Sequence, residues 1–281
     1  MTRVAAVVLS WNGREDTLAC LRSLQGEGAE VIVVDNASED GSAEAAAEAG
    51  AEVIRNERNL GYAGGMNVGI RAALAHGVDA VLLLNNDVEV EPGAVEALAA
   101  VEGAGAVCPV VVFADDPERV WYAGASFDPR RGYNGRHRTE PTATETERIC
   151  GAAVLIPRET IERIGSFDEQ LFAYVEDADW SLRARGAGLS LLVTPAARVR
   201  HKVSASTGGE GSPDALYYSV RNLLTVCERY APLGLLGTWR RRLTALAAFT
   251  AQALLGGRRR AGLKAVRDGW RDFRRGRYGP R

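Results

Sequence analysis

The stretch VLLLNNDVEV, residues 81–90, limits the possible folds more than any other part of the chain. Val81, Leu82, Leu83 and Leu84 form an apolar run of strand length with no polar alternation, so both faces need cover, as in a central strand of a parallel sheet. Asn85, Asn86 and Asp87 follow where that strand runs out. In open α/β sheets ligands bind beyond the carboxyl ends of the strands, and a carboxylate held there can take a metal ion and a phosphate. A strand end closed by turn-forming residues is the alternative, and this stretch alone leaves both open.

The same unit recurs along the chain. Residues 4–10 read as a first strand and 14–24 as a helix through Leu18, Leu21 and Leu24. Residues 30–34 form a second strand, ending in Asp35, Asn36 and a polar turn that opens another helix. Val53 and Ile54, a helix over about 63–75, and the strand at 81 continue the alternation, which implies a doubly wound, mostly parallel sheet flanked by helices. A helix with Val95, Leu98 and Val101 and a strand at 106–113 come next. Residues 114–148 are polar and irregular, 149–156 restore a buried strand, 189–194 form a further strand, and His201 follows a short extended run.

Three features carry candidate chemistry. The glycine-rich segment NLGYAGGMNVG, residues 59–69, has the wrong spacing for a dinucleotide fingerprint. It fits either close helix packing through Gly65 and Gly69 or backbone brought near a nucleotide. In FAYVEDADWSLRARG, residues 172–186, Glu176, Asp177 and Asp179 cluster at a helix start, where the unpaired amides and the dipole favour carboxylates. Asp179 and Arg183 are spaced to pair along one helix face. Phe172, Tyr174 and Trp180 beside the acids would make a sugar platform. His201, taken alone, reads as structural or as a ligand.

The length of 281 residues, 46% of them hydrophobic, suits one large α/β domain with an appendage. Cys20, Cys108, Cys150 and Cys227 are scattered and make no CxxC pair, which argues against zinc sites or a disulfide framework and for reduced, cytosolic thiols. The apolar N-terminus leads into Trp11-Asn12-Gly13 and reads as a strand, not as a signal peptide. Residues 214–281 hold fifteen Arg and Lys against four Asp and Glu, whereas the rest of the chain is acidic. A basic tail of this kind meets an anionic surface, and no nucleic-acid motif accompanies it. Its charge-free stretch, residues 243–257, lies between two arginine triplets and is shorter than the ~20 residues of a membrane span. An interfacial helix against lipid phosphates and a helix packed on the body are the two readings.

VVLSWNG (7–13), VIVVDNASEDGS (31–42), NLGYAGGMNVGI (59–70), LLLNNDVEVEPG (82–93), the segment 151–188 and His201 occur in an order that resembles the inverting, GT-A-fold family-2 glycosyltransferases, particularly the bacterial rhamnosyltransferase-like branch. The resemblance implies a GT-A catalytic domain over 1–213 and a helical basic extension over 214–281. It implies that Asp35 accepts a hydrogen bond from a pyrimidine imide, with Ser10, Trp11 and Asn12 in the same pocket. Asn36, Asn59, Gly61 and Asn67 would join the donor site, and Asn85 or Asn86 would touch the ribose. Asp87 matches the last position of a DxD-like motif and His201 a second ligand, so that a Mg²⁺ or Mn²⁺ ion would bridge the donor diphosphate. Amides at 85 and 86 depart from that motif and leave the choice of metal open.

Asp177 matches the general base, and Gly151, Tyr174, Glu176 and Trp180 fall to the acceptor and sugar pocket. Tyr217, Tyr218, Arg221 and Asn222 resemble a segment that packs on this kind of domain. The implied activity is transfer from a nucleotide sugar, preferably dTDP-rhamnose, to a glycan or polyprenyl-linked acceptor of the cell envelope. A UDP-sugar donor and a noncatalytic sugar-nucleotide-binding protein are the alternatives. The implied location is the cytoplasmic face of the plasma membrane, held there peripherally.

Overall fold

Four apolar runs become β1 (Val4–Ser10), β2 (Glu30–Asp35), β3 (Glu52–Arg55) and β4 (Ala80–Asn85), paired in parallel in the order β3-β2-β1-β4. The computed structural model that shows this describes residues 2–132, 137–203 and 211–281. The helices α1 (Arg14–Ser23), α2 (Ser42–Glu48) and α3 (Gly61–Ala75) alternate with these strands. Val81, Leu82, Leu83 and Leu84 are fully covered, as an unalternating run requires. Register pairs Ser10 with Asp35 and Leu9 with Asn85, so the polar residues that end β1, β2 and β4 emerge along one edge of the sheet.

The second half departs from simple parallel winding. After β5 (Val88–Val90), α4 (Ala94–Ala99), β6 (Ala106–Phe113), β7 (Val120–Tyr122) and β8 (Thr144–Glu145), strand β9 (Ala153–Pro157) enters antiparallel between β4 and β6. Then come α5 (Arg158–Ile164), α6 (Glu176–Gly186) and β10 (Leu191–His201). The extended pieces expected at 189–194 and around 199 are one strand, β10, which runs parallel to β6 with an irregularity between Thr194 and Arg198. Its end pairs antiparallel with β5, which sets His201 opposite Val88, next to Asp87. The strand expected from 149 begins at Ala153, because Ala153 N–H closes a turn onto the Cys150 carbonyl. Residues 114–148 carry β7, β8 and a bridge between Ala125 and His137; residues 133–136 of that stretch lie outside the described residues.

Among the described residues three helices follow: α7 (Pro213–Tyr230), α8 (Leu235–Leu255) and α9 (Arg259–Arg274). Ser212 caps α7 through its side chain, with Pro213 at the first helical position. These helices share a second core with the body, in which Leu171, Val175 and Ala178 meet Leu216, Val220 and Val266. Helix α8 buries Ala245 and Ala253 but exposes Leu235, Leu236, Trp239, Leu243 and Leu255. No described helix is long and apolar enough to cross a membrane.

Candidate active site

A cleft of about 480 Å³ opens at the carboxyl ends of β4 and β10. Asp87, His201, Glu176 and Asp177, which come from three distant parts of the chain, all line it. Asp87 and His201 are almost fully buried, with His201 Nε2 at 3.1 Å from Asp87 Oδ1. That oxygen has no hydrogen-bond partner among the described residues. Two ligand atoms that share a small divalent cation at ~2.1 Å and a right angle stand ~3 Å apart, so the pair fits a Mg²⁺ or Mn²⁺ ion. Among the described residues no group of three or more His, Cys, Asp or Glu side chains could hold one, so the remaining positions would fall to donor phosphates and water. Trp121 meets His201 edge-on, with ring centroids 5.1 Å apart.

Asp35 ends β2 in a buried position. Its Oδ2 accepts from Ser38 N–H at 3.1 Å, and its Oδ1 is buried without a hydrogen-bond partner among the described residues. A buried acceptor left open in this way is suited to an N–H donor from outside the chain. Trp11 is 45% exposed beside it in sequence register, and Asn12 sits in the left-handed region, where its carbonyl side chain accepts from Glu39 N–H.

The polar side-chain atoms of several other residues expected at the donor site are engaged within the fold. Ser10 is fully buried, with its hydroxyl 3.0 Å from Thr17 Oγ1. Asn36 donates to Asn59 Oδ1 and the Gly61 carbonyl and accepts from Asn56 and Leu60 N–H. Asn59 also accepts from Gly61 N–H. Asn67 exchanges hydrogen bonds with the Phe167 backbone, and Asn86 donates to the Asn12 carbonyl and Thr17. Asn36 and Asn86 staple loops to strand ends and Asn67 ties a loop to α3; of the Asn85-Asn86 pair, only Asn85 lines the cleft.

The fold itself requires glycine at position 61: at φ +73° a Cβ there would stand 2.4 Å from the Phe172 carbonyl. Cβ atoms at Gly65 and Gly69 would strike Leu9 and Val7, which decides for close packing of α3 on β1.

The loop held against Gly61 carries the acids. Phe172 (φ +65°, ψ −65°) centres a γ-turn in which Ala173 N–H donates to the Leu171 carbonyl at 2.8 Å. Tyr174 and Val175 are also left-handed, and each such non-glycine residue costs about 1–3 kcal/mol. Helix α6 starts directly after this loop. Glu176 is buried, and burial followed by the adjacent Asp177 charge pushes its carboxyl up to about 8, so that it is protonated at neutral pH. Asp177 is more open; its Oδ1 accepts from Ala178 N–H, and its Oδ2 lies 3.6 Å from Arg148 Nε.

Asp179 turns away to Arg183 at 3.1 Å and Arg229 at 2.7 Å. Trp180 is 1% exposed, donates to the Gly165 carbonyl, packs in the core and does not line the cleft. Gly151 and Tyr174 do line the cleft, and the Gly151 carbonyl accepts from the Tyr62 hydroxyl at 2.6 Å.

Sequence reading missed Arg148, His137 and the α7–α8 wall made by Ser219, Phe249 and Gln252. Arg148 lies between the Asp177 carboxylate and His137 Nε2, to which it donates at 2.8 Å. Burial and that guanidinium push the His137 imidazole down to about 4, so it is a neutral acceptor. Only the position of Arg148 just ahead of GAAVLIP marks it in the sequence. Cys150, in the wall, stays a thiol, pushed up to about 12 by burial.

A carboxylate beside a cation, in one cleft with an aspartate–histidine pair spaced to fit a divalent cation, could serve displacement at a carbon bearing a phosphate leaving group. A family model described as Glycosyl transferase family 2 matches residues 6–165, more than half of the chain. This chain belongs to glycosyl transferase family 2. The family-2 chain is 26% identical to the N-acetylglucosaminyl-diphospho-decaprenol L-rhamnosyltransferase of Mycobacterium tuberculosis, over 80% of its own length and 82% of the relative. It is 25% identical to the dTDP-rhamnosyl transferase RfbF of Shigella flexneri, over 83% and 82%.

Among solved structures, GalNAc-T7 with UDP, GalNAc and Mn²⁺ superposes with a TM-score of 0.67 at 17% identity; 98% of this glycosyltransferase spans 56% of that chain. TarS of S. aureus with UDP-GlcNAc superposes with 0.53 at 15% identity, covering 98% and 92%. The fold is therefore that of the GT-A glycosyltransferases, with C-terminal helices added.

Proposed function

We propose that this glycosyltransferase transfers a sugar with inversion from a nucleoside-diphosphate donor to a hydroxyl of a glycan or polyprenyl-linked acceptor in cell-envelope polysaccharide synthesis. The observation that carries the reading is the meeting of Asp87, His201 and Asp177 in one cleft. In this reading Asp35 Oδ1 receives the imide N–H of the base, and Asp87 and His201 hold Mg²⁺ or Mn²⁺ at the diphosphate. The ion, when bound, neutralises charge that grows on the leaving diphosphate.

Asp177 accepts the proton of the acceptor hydroxyl while that oxygen bonds to the anomeric carbon. The bond from that carbon to the diphosphate oxygen breaks on the opposite side, and its electrons leave with the nucleoside diphosphate. One displacement inverts the configuration. Arg148 keeps a positive charge beside Asp177, and Glu176, neutral at pH 7, adds no second negative charge.

Similarity to two rhamnosyltransferases supports dTDP-rhamnose as the donor. UDP-sugars form the second reading, favoured by the UDP-bound structural neighbours, because uracil and thymine offer the same imide to Asp35. Residues 1–213 carry the donor chemistry. Residues 214–281 supply the acceptor-side wall and, through the exposed leucines and Arg240 of α8 and Arg258 in the linker after it, contact with an anionic membrane surface. The protein then works peripherally at the cytoplasmic face of the membrane.

Incubation with a panel of dTDP- and UDP-sugars, with and without Mg²⁺ or Mn²⁺, tests the reading. Metal-dependent release of nucleoside diphosphate from one donor supports it, with release from dTDP-rhamnose expected. Binding of donors without any release would make the protein a sugar-nucleotide-binding module.

A further inference from the structure

The acids at the start of α6 stand on backbone that does not hold itself. Phe172, Tyr174 and Val175 are left-handed although none is glycine, and Val175 is β-branched, a residue type for which this conformation is an outlier. Something outside the loop has to over-determine it. Helix α7, from the basic C-terminal segment, provides the contact.

Asn222, with no exposed surface, places its Nδ2 within 2.8 Å of the carbonyls of Leu171, Ala173 and Tyr174. Its two amide hydrogens are shared among three acceptors that converge because the chain is curled around them. Arg221, equally buried, fixes which way the amide faces: its Nε donates to Asn222 Oδ1 at 2.9 Å. The same guanidinium donates to the Leu171 carbonyl at 3.0 Å and to the Gly279 carbonyl at 2.7 Å. It also lies over the rings of Tyr217 and Tyr218. From the other side Gly61 admits the Phe172 carbonyl, which accepts from Ala63 N–H at 3.0 Å.

We propose that Asn222, oriented by Arg221, is a positioning residue for transfer: by gathering the carbonyls of residues 171–174 it holds the curled loop that aims Asp177 and Tyr174 into the cleft. The catalytic unit is incomplete without α7, although α7 follows every strand of the sheet. The inference rests on the reading of Asp177 as the base. Asn222 hydrogen-bonds to the acid-bearing loop and to Arg221, and it does not line the cleft, so its loss should spare donor binding.

The test uses the full chain carrying Asn222→Ala, Asn222→Ser and Asp177→Asn, singly and with Asn222→Ala and Asp177→Asn combined. Val266→Ala, a truncation in the same second core, is the stability control. Donor dissociation constants and donor KM should stay within about threefold of wild type in the Asn222 variants, while kcat falls on the order of 10²-fold in Asn222→Ala and less in Asn222→Ser. Val266→Ala should lower the melting temperature with kcat kept. If positioning acts through the base, Asn222→Ala adds little to the loss already caused by Asp177→Asn.

Additive losses, a kcat for Asn222→Ala within threefold of wild type, or an equal kcat loss in Val266→Ala would each overturn the proposal. Should Asn222→Ala fail to bind donor because it does not fold, the Asn222→Ser comparison decides by the same criteria. Full turnover by Asp177→Asn would instead strike at the base assignment, which separates that failure from this one.

Discussion

His201 Nε2 and Asp87 Oδ1 stand 3.1 Å apart because the end of β10 pairs with β5, the short strand that follows Asp87 directly. Neither residue is near the other in sequence, and the proposed metal role of the pair has a direct test. Asp87→Ala and His201→Ala should each weaken metal-supported donor binding by about tenfold or more. Titration of Mn²⁺ against donor binding in calorimetry checks this. Metal dependence unchanged in both variants would remove the pair from the metal site.

Asp177→Asn preserves the shape of the α6 start but cannot take a proton. We expect donor affinity to be kept and transfer to drop about 10²–10⁴-fold. The comparison is of initial transfer rate against donor dissociation constant, and a variant that still turns over would send the base role elsewhere.

Glu176, raised to about 8 from 4.5 by burial and then by Asp177, predicts a pH-dependent stability. Below about 4.5 the acid is protonated in both the folded and the unfolded chain. Between 4.5 and about 8 the unfolded chain loses this proton and the folded chain keeps it, so stability falls as pH rises; above 8 the deficit is complete. Glu176→Gln is neutral throughout. Its melting temperature should gain on wild type as pH goes from 5.5 to 9, and a gap that does not change with pH would contradict the raised acid.

Gly61→Ala puts a methyl group where the Phe172 carbonyl sits, at a backbone angle that alanine resists. A loss of about 1–3 kcal/mol is expected, readable in urea unfolding. Transfer should suffer with it, since the same carbonyl anchors the loop that carries Asp177. Wild-type stability in this variant would mean that the approach is looser than it looks.

Leu236 and Trp239 are exposed on α8, so Leu236→Glu with Trp239→Glu should fold normally. Binding to phosphatidylglycerol vesicles should weaken about tenfold or more, and added salt should weaken the wild type as well. Equal sedimentation of both proteins with vesicles would leave the exposed face of α8 without this role.

Much was legible along the chain itself. Alternating apolar runs and helical spacings identify the βα units, because burial on both faces removes polar residues from a central strand, as at Val81 to Leu84. The acids that end such strands emerge on one edge, so Asp35 and Asp87 could be picked out before any contact was known. Local sequence is silent on which polar groups are already satisfied. Asn36, Asn67 and Asn86 resemble ligand-binding amides in sequence, yet partners from distant segments consume their hydrogen bonds. Trp180 looks like a sugar platform until helix rotation turns it into the core. Arg148 beside Asp177, and Asn222 beneath the loop that carries it, depend on how remote elements dock. A hydrogen bond needs two groups within about 3 Å, and for residues this far apart in the chain only the packed fold sets that distance.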